Sequence, residues 1–580
     1  MNDGYTMIIL VEFSKIFNEE PKDLKSYLTG IDRSTLLRAM TFFLGFSNRK
    51  SNFKEYKDLL EMFFCEENNK LANEIYYKLN GVRYEAKAEL AIINPQTSLQ
   101  IFEYCFENLT NETTQSNAES ELNIFKAIIR TNEINTELQK QSTESTKNIS
   151  HELRGAALSL SQSFAYSDLV NYDLGKVLTT QVIKSIYLFE FLESNPNLVV
   201  LLADFLKYFN CSDWKDFLKK TLPLAFSVIN AAKEGHIEFH VEVNNDFSMN
   251  CEFIEKLILI DSNSIIDYDF KKIRAKPLYQ ISKGVYGVVF GLFVIELIHK
   301  GVYFKLNEIF NDQKKAENVK ATFRSYYCDE FSEKYLLYKT LNYIFKNKYK
   351  VFTGVQIKAL GIEAEPDYYI RNGNFLFLFE SKDILINAKI KATYDFQLYE
   401  KEFIKKLYFE ENNGKIEKKA VLQLINNIKR VLKKDFSFDV NYKEHLINIY
   451  PIIVVHDRQF NVAGLNVLVN HWFKTELEKI KLKGININKV KPITLIDIDT
   501  FIYHQDIFRD KTIRLEKVID EYFKFITINT VRRYKDEEHL LRYAKRTVVP
   551  FSIFLSNYVG TKKNKQVPKM LLEKGIGLFK

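Results

Sequence analysis

The chain has 580 residues, of which 46% are apolar and 27% charged. That is the balance of a folded protein of several domains, which excludes a disordered chain. The net charge of +8 permits a polyanionic partner without demanding one. The five cysteines stand singly and form no CxxC pair, so neither a zinc cluster nor a disulfide framework is indicated and a reducing cytoplasmic location is expected.

Residues 1–110 place apolar side chains at helical spacing, as at Tyr56, Leu59, Leu60 and Phe63, and read as a helical region. The opening apolar run is short and follows Asp3, so no signal peptide is expected. Residues 111–150 are polar and read as a linker or as solvated helices. The helical pattern returns over 151–325, broken by a predicted hairpin at 277–290 that turns on Lys283-Gly284. The apolar stretch from Val285 to Ile295 is too short to span a bilayer. From 326 to 530 the pattern changes in kind. A helix over Phe331–Phe345 is followed by strands at Tyr349–Gly354, Asp367–Arg371 and Asn374–Ser381. Then come a helix at 416–432, a buried strand at 447–455, a helix at 462–480 and a strand at 493–499. The fold class expected is an α/β C-terminal domain, in the order αβββαβ, joined to a large, mainly α-helical N-terminal region. The last segment, 531–580, is basic, with VRRYK and TKKNK.

The informative stretch is EAEPDYYIRNGNFLFLFESKD, residues 363–383. Asn372-Gly373 predicts a two-residue hairpin turn, which would pair Arg371 with Asn374 and Asp367 with Leu378. Side chains repeat on one face every second residue, so Asp367, Glu380 and Lys382 are expected on one side, with Asp367 diagonal to Glu380 at about 7–8 Å. Two carboxylates at that spacing can share a magnesium ion, whose oxygen ligands sit at about 2.0–2.1 Å. The opposite face carries Phe375, Phe377 and Phe379, while Leu376 and Leu378 lie below the carboxylates. A strand apolar on both faces belongs in the middle of a covered sheet. Carboxylates at its end are costly there without a compensating cation.

Pro366-Asp367 and Glu380-Ser381-Lys382, set in that αβββαβ order, resemble the PD-(D/E)xK nuclease superfamily, the restriction-endonuclease-like fold, over about 330–460. The ExK tripeptide alone is unspecific, since Glu55 and Glu85 begin two others, whereas Pro-Asp occurs once. The resemblance implies a metal-dependent phosphodiesterase, an endonuclease using Mg2+ or Mn2+. Asp367, Glu380 and the backbone carbonyl of Ser381 would hold the metal. Lys382 would hold or polarise the attacking water. Glu333 from the first helix would join the site, with Glu330 a close competitor. Gln423 on the helix after the ExK strand would assist, although it points away from the stripe Val421, Leu424, Ile425, Ile428 and Leu432. By the habit of the family the nucleic acid is DNA rather than RNA. Nucleases that cut both strands often pair, so a homodimer or a partner held by the helical region is compatible. A nuclease fused to an unfamiliar helical region also resembles effectors of bacterial antiviral defence.

Other signals carry less. Ser150-His151-Glu152 looks like a phosphoacceptor box, but no nucleotide loop follows it, and a helix start explains it. No GxxxxGK[ST] loop exists. His456-Asp457 reads as a turn and His471 as a packed helix residue. The lysines of 415–434 and the basic tail could contact a phosphate backbone. The competing reading from another class is a non-catalytic protein that binds nucleic acid or another protein through a degenerate copy of the fold.

Overall fold

In the computed structural model, residues 8–47, 53–86, 89–107, 113–170, 172–231, 237–260, 266–267, 269–316, 322–527, 544–560 and 567–579 are described. Helices dominate, and one five-stranded sheet organises the C-terminal half.

The polar segment after residue 110 forms a helix, Asn117–Ser145 (α1), started by a capping box between Ser116 and Glu119. Ile124, Phe125, Ile128 and Ile129 are buried on it. Part of its polarity is buried as well: Asn132 bonds Thr97 and the carbonyl of Ile92, and Asn135 bonds Gln96 and Gln100. A buried amide with partners costs little, so a polar sequence here is compatible with a packed helix.

His151–Ser163 (α2) and the long, largely buried Leu174–Ser194 (α3) follow. The expected hairpin forms between Leu278–Ser282 and Val285–Val288, with Gly284 at φ +79° in its turn. A third strand, Glu238–His240, extends it. The helical stretch after it is not uniform. Leu297–Gly301 and Tyr326–Leu337 are wound with the wider π spacing, the second running directly into Tyr338–Phe345 (α4).

The sheet comprises β1 (Lys350–Thr353), β2 (Tyr368–Asn372), β3 (Phe375–Lys382), β4 (Asn448–Val455) and β5 (Thr494–Asp497), in the spatial order β5-β4-β3-β2-β1. β1, β2 and β3 run antiparallel in sequence, whereas β3, β4 and β5 are parallel. β3 is therefore the centre, and its apolar run on both faces has its explanation there. One face, with Tyr368, Ile370, Phe377, Phe379, Tyr450 and Ile452, joins the core of the N-terminal helices. The other, with Tyr369, Leu376, Leu378, Ile449 and Ile453, packs under helices Ala420–Lys433 (α5) and Leu465–Lys481 (α6). The helical half thus forms one wall of the sheet.

Three local expectations need correction. The hairpin turn is Gly373-Asn374, not Asn372-Gly373, because Asn372 pairs with Phe375 and only Gly373 has positive φ (+58°). A positive φ at the first turn position alone is the type II′ pattern, which glycine supplies at no steric cost. Residues 415–418, expected to open a helix, instead form a strand paired with Phe409–Asn412. Residues 498–509, after β5, are a helix (α7) capped by Asp497. At the C-terminus Phe551–Gly560 and Lys569–Phe579 are helical. VRRYK and TKKNK lie outside the described residues. Among the described residues no helix is long and apolar enough to cross a membrane.

Candidate functional site

The true register moves the cross-strand partner of Asp367 by two residues from where the sequence reading put it, from Leu378 to Glu380. Tyr368 lies opposite Phe379, so the position before it falls opposite Glu380 rather than diagonal to it. Asp367 stands just outside β2, and its neighbours fix it from both sides. Its Oδ2 accepts a 2.6 Å hydrogen bond from the Ser381 N–H, and its carbonyl accepts one of 2.8 Å from the Gly354 N–H. Gly354 must be small here. A Cβ would come within 3.2–3.3 Å of the Pro366 carbonyl, the Tyr338 hydroxyl and the Asp367 Cα. The loop before Asp367 is held by Arg430 of α5, which donates to the carbonyls of Glu363 and Ala364.

Glu380 is completely buried at the end of β3. Its Oε2 lies 3.6 Å from Lys382 Nζ and has no hydrogen-bond partner. Its Oε1 is 3.5 Å from Asn427 Nδ2 on α5. Asp367, Glu380 and Lys382 thus meet at one point.

Glu333 reaches the same group from the π-wound segment. Burial, and then the Asp367 carboxylate, push its pKa up to about 8. Glu330 instead pairs with Lys334 at 2.6 Å, which separates the two candidates. Burial also raises Asp367, against the pull of Lys382 and the Ser381 N–H. Burial and the facing Asp367 hold Glu380 well above the carboxylate range. On Lys382 burial acts downwards, but Glu380, Asp367 and Glu333 outweigh it and leave the ammonium stabilised. Three acids and one lysine share a nearly dry space, and one positive charge does not compensate them.

Gln423 is half-buried and its Oε1 has no partner. No bond joins it to the acids. The contact to Glu380 comes from Asn427, one turn further along α5, which the sequence reading missed. The available signal was that Asn427, the second of the pair Asn426-Asn427, falls at the edge of the apolar stripe of α5, where a buried polar group needs a partner.

The donor set suits a hard divalent cation, because the buried Glu380 carboxyl faces the partly buried Asp367 carboxyl and one oxygen of Glu380 lacks a hydrogen-bond partner. The protein side chains alone do not complete such a site. Among the described residues no group of three or more His, Cys, Asp or Glu side chains has the spacing to hold a metal ion. Backbone or solvent oxygens would have to fill the shell.

Comparison with known proteins adds no relative: no family model, no curated protein and no solved structure matches the chain.

Proposed function

We propose that the chain is a metal-dependent nuclease of the PD-(D/E)xK type, hydrolysing phosphodiester bonds of nucleic acid, DNA in the first instance. The observation that carries this reading is the grouping of Asp367, Glu380 and Lys382 at the end of the central strand of a mixed five-stranded sheet, although a helix at Gly354–Ala359 and a hairpin at 409–418 interrupt the expected αβββαβ order. Asp367 and Glu380, with the Ser381 carbonyl, would hold Mg2+ or Mn2+. When bound, the ion supplies charge screening for the phosphodiester and lowers the pKa of a water. Lys382 orients that water and offsets phosphate charge, Asn427 steadies the Glu380 carboxyl, and Glu333 holds a proton near neutral pH that it can exchange. Ser381 contributes its N–H by fixing the Asp367 rotamer.

A second reading, a binding protein with a degenerate site, is favoured by the absence of a third metal-type side chain at bonding distance among the described residues. One experiment separates the two. Purified protein is incubated with plasmid, linear duplex, single-stranded DNA and RNA, in magnesium, manganese or EDTA, beside Asp367→Ala and Lys382→Ala. Metal-dependent cleavage lost in both variants supports the nuclease. Cleavage of no substrate, with binding unaltered in the variants, overturns it in favour of the binding protein.

A further inference from the structure

The opposite side of the β3 terminus borders a different cavity, and it does not depend on the nuclease reading. The parallel strands β3, β4 and β5 end side by side. The residues just beyond them, Asp383, His456-Asp457-Arg458 and Asp499, form one wall of a small cavity of about 60 Å³. The facing wall belongs to the N-terminal helices: Gln181 and Lys184 of α3, then Lys300, Tyr303, Phe304 and Arg324. A crevice beyond the carboxyl ends of parallel strands is where open α/β sheets place ligands.

Four cations and four carboxylates line it, so formal charge alone does not name a ligand. The bonding pattern does. Three of the carboxylates spend capacity on groups behind the wall: Glu296 on Arg274, Asp383 on Ser332, and Asp457 on the Gln459 N–H. The ion pairs and side-chain hydrogen bonds of the cations go to groups of the lining, while Arg458 also stacks over Tyr172 behind it. Lys184 pairs with Asp499 at 2.9 Å, Lys300 with Asp457 at 3.2 Å, and Arg458 with Glu296 at 2.9 Å. Arg324 bonds Asp383 and Tyr303. An ammonium carries three donors and a guanidinium five, so donors are left over. Arg458 Nη1 is buried without a hydrogen-bond partner, an unmade bond that costs free energy even though Nη2 is paired with Glu296. Beside these donors Tyr303 and Tyr327 lie with ring centroids 4.3 Å apart, and Phe304 stands 45% exposed at the rim. Surplus donors from several directions match an ion that only accepts hydrogen bonds through several oxygens, and the rings offer a flat surface beside it.

We infer that this interdomain cavity binds a small phosphorylated ligand, its phosphoryl group received by Lys184, Lys300 and Arg458. The ligand would bridge the helical region and the sheet. Its pocket is tied to the backbone of the acidic site, since Ser381 Oγ lies 2.8 Å from His456 Nε2 and Arg324 grips Asp383.

The test is calorimetric titration of the full chain in EDTA, without nucleic acid, so that cleavage plays no part. The probes are inorganic phosphate, adenosine monophosphate and adenosine. Lys300→Met removes a receiving cation but disturbs buried pairs. Phe304→Glu and Leu385→Glu therefore accompany it, because both residues are exposed at the rim (45% and 46%) and their replacement leaves the core intact. The expected result is binding of phosphate or the monophosphate in the millimolar range or tighter, weakened at least about tenfold by each rim variant. Inorganic phosphate binding alone would identify a free-ion pocket, and tighter monophosphate binding a nucleotide pocket. Either supports the inference. No binding of any phosphate probe, binding unaltered in both rim variants, or adenosine bound as well as its monophosphate would overturn it.

Discussion

Two groups of buried acids lie on either side of the end of β3, and they answer burial in opposite ways. On the side facing the N-terminal helices, Asp168 touches Arg274 at 2.8 Å, Glu296 bonds Arg274 and Arg458, and Asp457 pairs with Lys300. Burial acts to raise Asp168 and Asp457, yet the cations beside them hold Asp168 below the carboxylate range and bring Asp457 down to about 2. On the α5 side Asp367, Glu380 and Glu333 share Lys382, with Lys334 acting only on Glu333, and all three are raised. Desolvation is common to both groups, so the number of cations within reach sets the sign. The first arrangement joins two halves of the fold. The second is left short of positive charge, a state that structural ion pairs avoid and that a bound cation would relieve.

The contrast can be broken most strongly at Glu380. Glu380→Gln keeps the shape but removes a charge the protein does not compensate. Cleavage is expected to fall by about 10²–10⁴-fold in a plasmid assay, while the metal-free melting temperature stays level or rises. Arg274→Met should do the reverse on the other side. It strands Asp168 and Glu296 without their guanidinium, and a loss of about 3–5 kcal/mol is expected in urea denaturation. Equal destabilisation by the two substitutions would erase the distinction.

Titration sharpens the same comparison. Glu333 has a folded pKa near 8 against an ordinary 4.5, so its protonated form favours the fold. Stability from this group is complete below about 4.5 and is lost as pH rises towards about 8. Asp457 works the other way, since its contribution is complete above 3.8 and is lost as pH falls through about 2. Melting curves across pH in EDTA should show both limbs, with Glu333→Gln flattening only the upper one and Asp457→Asn only the lower. Magnesium should raise the melting temperature more at pH 8 than at pH 6, because protons must leave before the metal enters. The smallest effect is expected at Asn427→Ala, which removes the long bond to Glu380. About 0.5–1.5 kcal/mol of stability should be lost, with a shifted pH profile of cleavage as the readout of positioning.

Much of this was legible beforehand because strand periodicity is a short-range property. The side on which Asp367, Glu380 and Lys382 emerge follows from alternation, and it survived the wrong turn residue. Moving the turn by one position shifts both strands together and leaves the parity of each face intact. Asn-Gly and Gly-Asn are both good hairpin dipeptides, so the sequence did not distinguish them, and the carboxylates proved opposed rather than diagonal. Asn427 escaped because a polar residue on a helix reads as solvent-facing until the sheet beneath it is known. Glu333 was already preferred to Glu330 from the sequence, and what separates them in the structure is the pairing of Glu330 with Lys334 on the π-wound segment Tyr326–Leu337. The burial of α1 was hidden because Asn132 and Asn135 satisfy their amides on distant residues.

The place of β3 also bears on how the molecule comes into being. Its pairing with β2 closes through a two-residue turn, while its pairing with β4 must wait for a stretch of chain that follows α5. Local contacts form early and distant parallel ones late. A nascent chain would therefore hold the Asp367–Glu380 ribbon with its acids still hydrated and ionised, and would enclose them only when β4 docks. Any cutting ability residing in this cluster would then switch on at the last step of maturation, after the helical half is already in place to receive it.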